Sequence, residues 1–390
     1  MKTILNISSH PALTLFALTL PLMLMLYFFS VQPETIPQDN NLLQKNNTLA
    51  DMNNNTTTVR MDTVEQDYMA IHNEAIMIDT HNDFVYQVYE KGVDIANRNP
   101  NTHSDLPKFK EGGVDVQIFA VWIPMKEVKN SYGFTTSQID RLKTMAQQNS
   151  TQFEFANTYD DVIRITNEGK LCGLIGIEGG TAIGNDLEKV KEFYDLGVRY
   201  IGLTWNNSNL IASSAKDETE RGKAGGLTDF GTQVIKKMNE TGMIIDVSHL
   251  GEKSFWDVIE ISTDPIIASH SNCYSLNPHY RNLTDEQIKA IAEKGGYIGI
   301  NFYNKFLVKS GGADIEDVVR HIDHLKDLVG VDYIGIGADF DGGITPPSGL
   351  EDVTRYPELT SALLQRGYTK EDVTKILGGN FLRVYKQVCG

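Results

Sequence analysis

Five potential metal ligands lie at the ends of separate apolar segments of the chain. His81 and Asp83 follow the apolar run 75–80, Glu178 follows 174–177, and His249 and His270 follow 243–248 and 265–269. Each run has the length and composition of a buried β-strand. Barrel enzymes present ionisable side chains at the carboxyl ends of their strands. We therefore expect these five side chains to meet at one end of a barrel and to bind metal there.

The ligand types favour a pair of divalent cations. Imidazole and carboxylate ligands without thiolate suit Zn²⁺ best, with Mn²⁺, Co²⁺ or Fe²⁺ as alternatives. Five protein ligands are too many for one open catalytic zinc ion, but they suit two ions that share Glu178 and a hydroxide. Because side chains alternate along an extended strand, His81 and Asp83 should point to the same side and bind one ion. A glutamate at the end of a strand can also cap the following helix, which is the alternative role for Glu178.

Two further groups could take part in the hydrolysis of an amide. Asp339, in the sequence GADFDGG at 337–343, follows the last apolar run and could transfer a proton from the attacking water to a leaving amine. Asp341 in the same segment is the alternative candidate. Arg281, on the loop after His270, could bind a substrate carboxylate in a bidentate manner, although a simple loop salt bridge would also explain it.

The order of apolar and amphipathic segments predicts the fold. Eight strand-like runs, near 75–80, 114–123, 171–177, 200–204, 243–248, 265–269, 297–303 and 333–338, alternate with helical patterns at 185–196, 229–241, 252–262, 284–294 and 314–329. Near-continuously apolar strands separated by helices indicate a parallel sheet covered on both faces. The pattern favours an α/β fold of the (β/α)8 TIM-barrel type. The alternative, an open doubly wound sheet, would need a glycine-rich loop after its first strand, where this chain has HND at 81–83.

Three segments fall outside the regular alternation. The stretch 125–170 should contain helices at 137–148 and 159–167. Residues 206–228, rich in Ser, Gly and charged residues, predict a loop over the mouth of the barrel. Residues 359–388 predict two helices on the outside of the barrel.

The amino-terminal residues differ in composition from the rest. Residues 12–31 carry no charge, and about twenty mostly apolar residues suffice to span a bilayer. Residues 1–31 thus predict a signal anchor or a cleaved signal peptide, and either would export the rest of the chain to the periplasm or the extracellular space. Residues 32–64, rich in Asn, Thr and Gln, predict a disordered linker. Residues 65–390 are the predicted barrel domain.

Composition argues against some classes of protein. The formal net charge is −16, which disfavours a nucleic-acid partner because such proteins need basic surface. The three cysteines are an odd and sparse set, which is not a disulfide framework.

Nine short motifs resemble those of the membrane (renal) dipeptidase family of zinc peptidases. They occur in the family's order: DTHND at 79–83, GIEGG at 176–180, GVRYIGLT at 197–204, GLTDFG at 226–231, IIDVSH at 244–249, ASHS at 268–271, RNLTD at 281–285, NFY at 301–303 and GADFDG at 337–342. The resemblance covers about residues 70 to 385. It implies a (β/α)8 barrel that binds two zinc ions, and members of the family are often homodimers.

The resemblance also implies roles for individual residues. His81 and Asp83 would bind one zinc ion, His249 and His270 the other, and Glu178 would bridge the two. Arg281 would bind the substrate's C-terminal carboxylate, and Asp339 would bind its free amino group and transfer protons. Trp205 and Tyr303 would also contact the substrate.

The implied reaction is hydrolysis of unblocked dipeptides, including those with a C-terminal D-residue, by a hydroxide that bridges the metal ions. Some members also open the β-lactam ring of carbapenem-like compounds. A protein that keeps the barrel but has lost the chemistry is a further hypothesis, and the presence of all five ligands disfavours it.

Two features depart from the family pattern. Many members have His where this chain has Trp205, and that His stabilises the tetrahedral oxyanion; some bacterial members have Trp. The departure supports an alternative function, a related metal-dependent amidohydrolase that acts on another small amide or a lactam. The mammalian enzymes also carry a C-terminal lipid signal, whereas residues 381–390, FLRVYKQVCG, form no apolar tail. Any membrane anchor would then be the N-terminal segment.

Overall fold

Short, buried strands form the centre of the molecule. The computed structural model describes residues 68–222 and 225–390. The strands in this part of the chain are β1 (Ile78–Asn82), β2 (Val116–Trp122), β3 (Phe153–Phe155), β4 (Leu171–Glu178), β5 (Val198–Gly202), β6 (Ile244–Asp246), β7 (Ile266–Ala268), β8 (Tyr297–Ile300) and β9 (Ile334–Ile336). All residues of β1, β4 and β5 are buried, as expected for a sheet covered on both faces.

Eight of these strands close into a parallel barrel. β1 pairs with β2, β2 with β4, and each following strand with the next up to β9, which pairs with β1. This closure confirms the predicted (β/α)8 barrel, and the open doubly wound alternative is wrong. β3 pairs with β4 at the edge and lies outside the closed ring. The sequence did not reveal β3 because three residues are too few to show a period.

Helices cover the barrel. They are α1 (Phe84–Lys91), α2 (Leu106–Glu111), α3 (Ser131–Gln148), α4 (Tyr159–Asn167), α5 (Glu188–Asp195), α6 (Ala215–Arg221), α7 (Asp229–Thr241), α8 (Glu252–Ile261), α9 (Asp285–Glu293), α10 (Asn304–Leu307), α11 (Ile315–Val329), α12 (Tyr356–Gln365), α13 (Lys370–Thr374) and α14 (Asn380–Cys389). The side chain of Thr284 accepts a hydrogen bond from the backbone N–H of Gln287, and the Gln287 side chain accepts one from Thr284 N. This capping box begins α9 at the predicted position. α6 lies inside 206–228, so that segment is not the continuous loop that its composition suggested.

The carboxyl-terminal helix closes the amino end of the barrel. Phe381, Val384 and Tyr385 of α14 belong to the same buried cluster as strand residues such as Ile244 and Ile267. The guanidinium of Arg383 donates to the carbonyls of residues 295, 296 and 332, which precede β8 and β9. The predicted two outer helices of 359–388 are three in the structure, where α12 packs against α11 and α14 covers the amino end of the barrel.

The predicted anchor at 1–31 and linker at 32–64 lie outside the described residues. Among the helices of residues 68–222 and 225–390, none is both long enough and apolar enough to cross a membrane.

Candidate metal centre and active site

The barrel brings the five candidate ligands together at the carboxyl ends of its strands. His81 lies in β1, Glu178 is the last residue of β4, and His249 and His270 closely follow β6 and β7. Asp83 occupies the N-cap position of α1, without a capping hydrogen bond from its side chain. All five are buried. Ligand atoms from these residues form three overlapping groups in which the atoms lie within 4.8 Å of one another, and one of the groups includes Asp339.

Glu178 lies between two groups of ligands. Its Oε1 is 2.8 Å from Nε2 of His249 and 3.6 Å from Nε2 of His270. Its Oε2 is 3.7 Å from Nε2 of His81, which is in turn 3.7 Å from Oδ2 of Asp83. Each oxygen of this carboxylate thus faces a different pair of side chains. The carboxylate points into the site and does not cap the short helical turn that follows, which has no side-chain cap.

His81 and Asp83 converge for a different reason from the one the sequence suggested. β1 ends at Asn82, and Asp83 has φ −94° and ψ 21°, which is not an extended conformation. The strand register also shifts between Asp79 and Asn82. The turn into α1, and not strand alternation, therefore brings the carboxylate beside the imidazole.

The hydrogen bonds of Nδ1 fix the tautomers of His81 and His249. The Tyr200 hydroxyl donates to the carbonyl of Thr80 over 3.2 Å and accepts from Nδ1 of His81 over 2.9 Å. Nδ1 of His249 donates to Oδ1 of Asn206 over 3.1 Å. Burial lowers the pKa of His249 to about 4, so this ring carries one proton at neutral pH, on Nδ1. Its Nε2 lone pair is free for a metal ion.

The third imidazole is oriented by a chain of two hydrogen bonds. Nδ1 of His270 lies 2.8 Å from Oγ of Ser269, and this hydroxyl donates to Oδ2 of Asp246 over 2.6 Å. Burial lowers the pKa of His270 well below its usual value. The Nε2 atoms of His249 and His270 therefore face each other with lone pairs at 3.1 Å. Only a cation between or beside them makes this contact favourable.

The charges at the site also suit bound cations. Nε2 of His81 is buried and has no hydrogen-bond partner among the described residues. Although burial opposes protonation of His81, the neighbouring carboxylates, Glu178 foremost, raise the pKa of this imidazole to about 10. Burial and the charge of Glu178 raise the pKa of Asp83 well above its usual value. The residues therefore fit bound divalent cations, which would replace the proton on His81 and neutralise the carboxylates.

The structure separates the two candidate acids after β9. Asp339 lies beside the ligands, and its Oδ2 accepts from Nδ2 of Asn301 over 2.9 Å. Burial raises its pKa to about 6, a value suited to proton transfer near neutral pH. The carboxylate of Asp341 turns away and accepts from the backbone N–H of His103 over 2.7 Å and from Oγ of Ser104 over 2.5 Å. Asp341 therefore holds the 97–105 segment, and Asp339 is the acid available to a substrate.

Backbone strain is concentrated at this end of the barrel. His249, Asp339 and Asp341 are the non-glycine residues with positive φ in the described part of the chain, and each has φ 66°. Such conformations cost free energy and persist where the surrounding structure requires them. Here the strained backbone directs two of the three side chains into the site.

Two cavities flank the ligands, and the remaining candidates line them. A cleft of about 530 Å³ is lined by Trp205 and Tyr303 together with Glu178 and Asp339. A second cavity of about 490 Å³ is lined by Arg281, and His249 borders both. Arg281 is buried, donates from Nη2 to the carbonyl of His270 over 3.2 Å, and has no acidic partner in a salt bridge among the described residues. The guanidinium is thus available to a substrate carboxylate.

Comparison with known proteins decides the family. The model of the membrane dipeptidase family (peptidase family M19) matches residues 65–389. The chain belongs to this family. It is a hydrolase family of metallodipeptidases, so the barrel is that of a metallopeptidase.

Individual members of the dipeptidase family agree with this assignment. The chain is 34% identical over 351 residues to a protein named as a dipeptidase from Schizosaccharomyces pombe, with 83% of each chain covered. It is 35% identical over 326 residues to dipeptidase tcpJ of Claviceps purpurea, covering 80% of this chain and 76% of that one. A metallopeptidase from Rhodobacter sphaeroides, solved with a phosphinate mimic of the dipeptide L-Ala-D-Ala, superposes with a TM-score of 0.76 at 29% identity. That match covers 80% of this chain and 99% of that one.

Sequence reasoning missed the residues that support the dipeptidase ligands. Tyr200, Asn206, Asp246 and Ser269 orient the imidazole ligands, and Asn301 bonds to Asp339. Four of them lie within the nine family motifs, and Asn206 follows the Trp205 position. Their common signal is a polar side chain near the carboxyl end of an apolar strand, where a buried polar group needs a partner.

The other histidines lie outside the ligand set. His103 donates its backbone N–H to Asp341 and accepts from the Asp341 backbone N–H through Nδ1. His321 is buried, and its Nδ1 accepts from the backbone N–H of Cys273 over 3.1 Å. This contact gives both Cys273 and His321 a structural role.

Proposed function

We propose that this protein is a dinuclear zinc dipeptidase that hydrolyses the peptide bond of unblocked dipeptides. One observation carries the proposal: the two oxygens of Glu178 face two separate ligand groups, His81 with Asp83 and His249 with His270. This arrangement suits a carboxylate bridge between two cations. Zn²⁺ is the best match to imidazole and carboxylate ligands, and other divalent metals are alternatives.

The chain's own residues would bind and orient the dipeptide. Bound divalent cations supply a nucleophile by lowering the pKa of water, and they polarise the scissile carbonyl. Arg281 binds the C-terminal carboxylate, since its buried guanidinium has no acidic partner among the described residues. Asp339, whose pKa burial raises to about 6, accepts the proton of the attacking water and returns it to the leaving amine. The L-Ala-D-Ala mimic held by the Rhodobacter relative supports acceptance of a C-terminal D-residue.

A second candidate is hydrolysis of another small amide or of a lactam. It rests on Trp205, which occupies the position of the family's oxyanion-stabilising His and lines the cleft beside Glu178. Comparing unblocked dipeptides with N-acyl amino acids and a carbapenem separates the two. Faster turnover of either of the latter classes would favour the second candidate.

The test of the proposed function uses the purified chain. We expect about two zinc ions per chain by elemental analysis, no dipeptide hydrolysis after chelation and dialysis, and recovery of activity when Zn²⁺ is restored. His249→Ala should abolish the activity, whereas His324→Ala should preserve it, because His324 bonds to Asp285 away from the site. Full activity in the metal-free protein would exclude the proposal.

Export and dimerisation remain separate proposals. We propose that residues 1–31 export the barrel domain and tether it to a membrane if they are not cleaved, on the basis of the uncharged run 12–31. Fractionation of expressing cells, with a deletion of residues 1–31 as the control, tests this location. A homodimer is proposed from the family resemblance alone, and light scattering of the purified protein tests it.

A further inference from the structure

Three aromatic side chains form one side of the larger cleft. Tyr86 lies in α1, Trp122 ends β2, and Trp205 closely follows β5. The Trp122 and Trp205 ring centroids are 5.0 Å apart at 62°, and the Tyr86 ring lies 4.9 Å from that of Trp122 at 83°. All three rings line the cleft of about 530 Å³. We call Tyr86, Trp122 and Trp205 the aromatic wall.

The strand order places Trp122, the central ring of this wall, across the barrel from Arg281. The closed ring runs β1, β2, β4, β5, β6, β7, β8, β9. Trp122 on β2 is therefore four strands away from β7, whose following loop carries Arg281, in either direction around the ring. Asp339 follows β9, which lies two strands from β2 and two strands from β7.

A dipeptide bound by both ends would therefore extend from Arg281 towards the wall. With its carboxylate at Arg281 and its peptide bond at Glu178, the residue beyond the peptide bond lies on the Trp122 side. Its amino group can then reach Asp339 while its side chain faces the wall. The second cavity, beside Arg281, is left for the C-terminal residue.

We propose that the aromatic wall selects dipeptides whose N-terminal residue has an aromatic or large apolar side chain. This inference rests on the proposed function and names its substrate class. The wall offers apolar ring surface, and aromatic side chains pack against it edge to face. No side chain of the wall is charged at neutral pH.

The experiment compares N-terminal side chains at a constant C-terminal residue. The zinc-loaded full chain is assayed for kcat/KM on Phe-Ala, Leu-Ala, Gly-Ala and Glu-Ala. Burial of a large apolar side chain should favour Phe-Ala and Leu-Ala over Gly-Ala by about 10- to 100-fold. Glu-Ala should be hydrolysed more slowly than Phe-Ala and Leu-Ala, because placing its carboxylate against the rings costs solvation.

Variants assign the preference to the wall. Trp205→Ala and Trp122→Ala should each remove about tenfold of the Phe-Ala preference, with a smaller change for Gly-Ala, and Trp205→Phe should restore most of it. The matched control is Trp256→Ala, which alters the remaining tryptophan, a partly exposed residue of α8 that does not line the cleft. Thermal unfolding of each variant shows whether a loss of activity reflects a loss of fold.

Two outcomes separate this inference from the proposed function. Equal kcat/KM for Phe-Ala and Gly-Ala, or a preference that survives both alanine substitutions, would contradict substrate selection by the aromatic wall. Dipeptide hydrolysis itself would still stand. If none of the four dipeptides is hydrolysed, the proposed function fails, and calorimetric binding of Phe-Ala and Gly-Ala decides the inference. If Phe-Ala binds more tightly than Gly-Ala and Trp205→Ala removes this difference, selection by the aromatic wall is supported. Equal affinities for the two dipeptides would contradict it.

Discussion

At the scale of single residues, the second nitrogen of each imidazole determines what the first can bind. Tyr200 illustrates this, because its hydroxyl accepts from Nδ1 of His81 and donates to the Thr80 carbonyl. Tyr200→Phe removes the acceptor and leaves the ring in place. We expect metal affinity to fall by about 10- to 100-fold, as is typical when a partner of a metal-binding histidine is lost. Metal titration measured by calorimetry checks this expectation.

Tyr385→Phe is the matched control for Tyr200→Phe. Tyr385 of α14 is also buried, but its hydroxyl has no hydrogen-bond partner among the described residues. Its removal should leave metal affinity unchanged and should not reduce stability, since a buried hydroxyl without a partner costs free energy. Equal metal affinities for the two variants would show that Tyr200 does not orient His81.

Asp339 and Asp341 should respond differently to the same substitution. Asp339→Asn removes the proton acceptor at the site, so kcat should fall by about 10²- to 10⁴-fold with little change in the unfolding midpoint. Asp341→Asn weakens the hydrogen bonds to His103 and Ser104. It should lower the free energy of unfolding by about 1–3 kcal/mol. Dipeptide kinetics and urea unfolding of both variants test this, and a stable but inactive Asp341→Asn would reverse the assignment.

At the scale of elements, strand β4 must pass close to β5 for the site to form. A Cβ built on Gly176 of β4 would lie 2.1 Å from Cζ of Tyr200 on β5. Gly176→Ala should therefore displace the ring that orients His81. We expect a loss of about 1–3 kcal/mol in unfolding free energy, the usual cost of overpacking a core, together with weaker metal binding. Urea unfolding and metal titration provide the measurements.

The control for Gly176→Ala is Gly312→Ala. A Cβ at Gly312 meets no atom within 4 Å, so neither stability nor metal affinity should fall. If Gly176→Ala behaved like this control, β4 and β5 would have room that the structure does not show.

The sequence predicted the strands and helices that are long enough to show a regular apolar pattern, and it missed the shorter ones. Eight apolar runs and five helical stripes were long enough to show a period. β3 and α6 were too short, or lay in segments of mixed composition. The convergence of His81 and Asp83 was predicted through strand alternation, but a turn produces it, because the end of a strand depends on contacts that a local pattern does not contain.

At the scale of the whole molecule, barrel closure determines which distant residues meet. Position at a strand end was enough to group His81, Glu178, His249 and His270, because the carboxyl ends of parallel strands share one face of the barrel. It was not enough to find the Asp246–Ser269–His270 chain or to separate Asp339 from Asp341. Those distinctions depend on side-chain directions and on distances between strands, which are set by packing.

The opposite end of the barrel should control stability without controlling the chemistry. Phe381 of α14 is buried at 1% exposure, and its ring lies 5.4 Å from that of Tyr297 on β8. Phe381→Ala should lower the free energy of unfolding by about 3–5 kcal/mol, because the cavity cannot collapse inside a closed barrel. Gln387→Ala, at an exposed position of the same helix, should have almost no effect. Urea unfolding gives the difference, and kcat/KM per folded molecule should match the parent protein for both variants. A Phe381→Ala protein with unchanged stability would mean that α14 covers the barrel without closing it, and a stable variant with reduced kcat/KM would couple the two ends of the barrel.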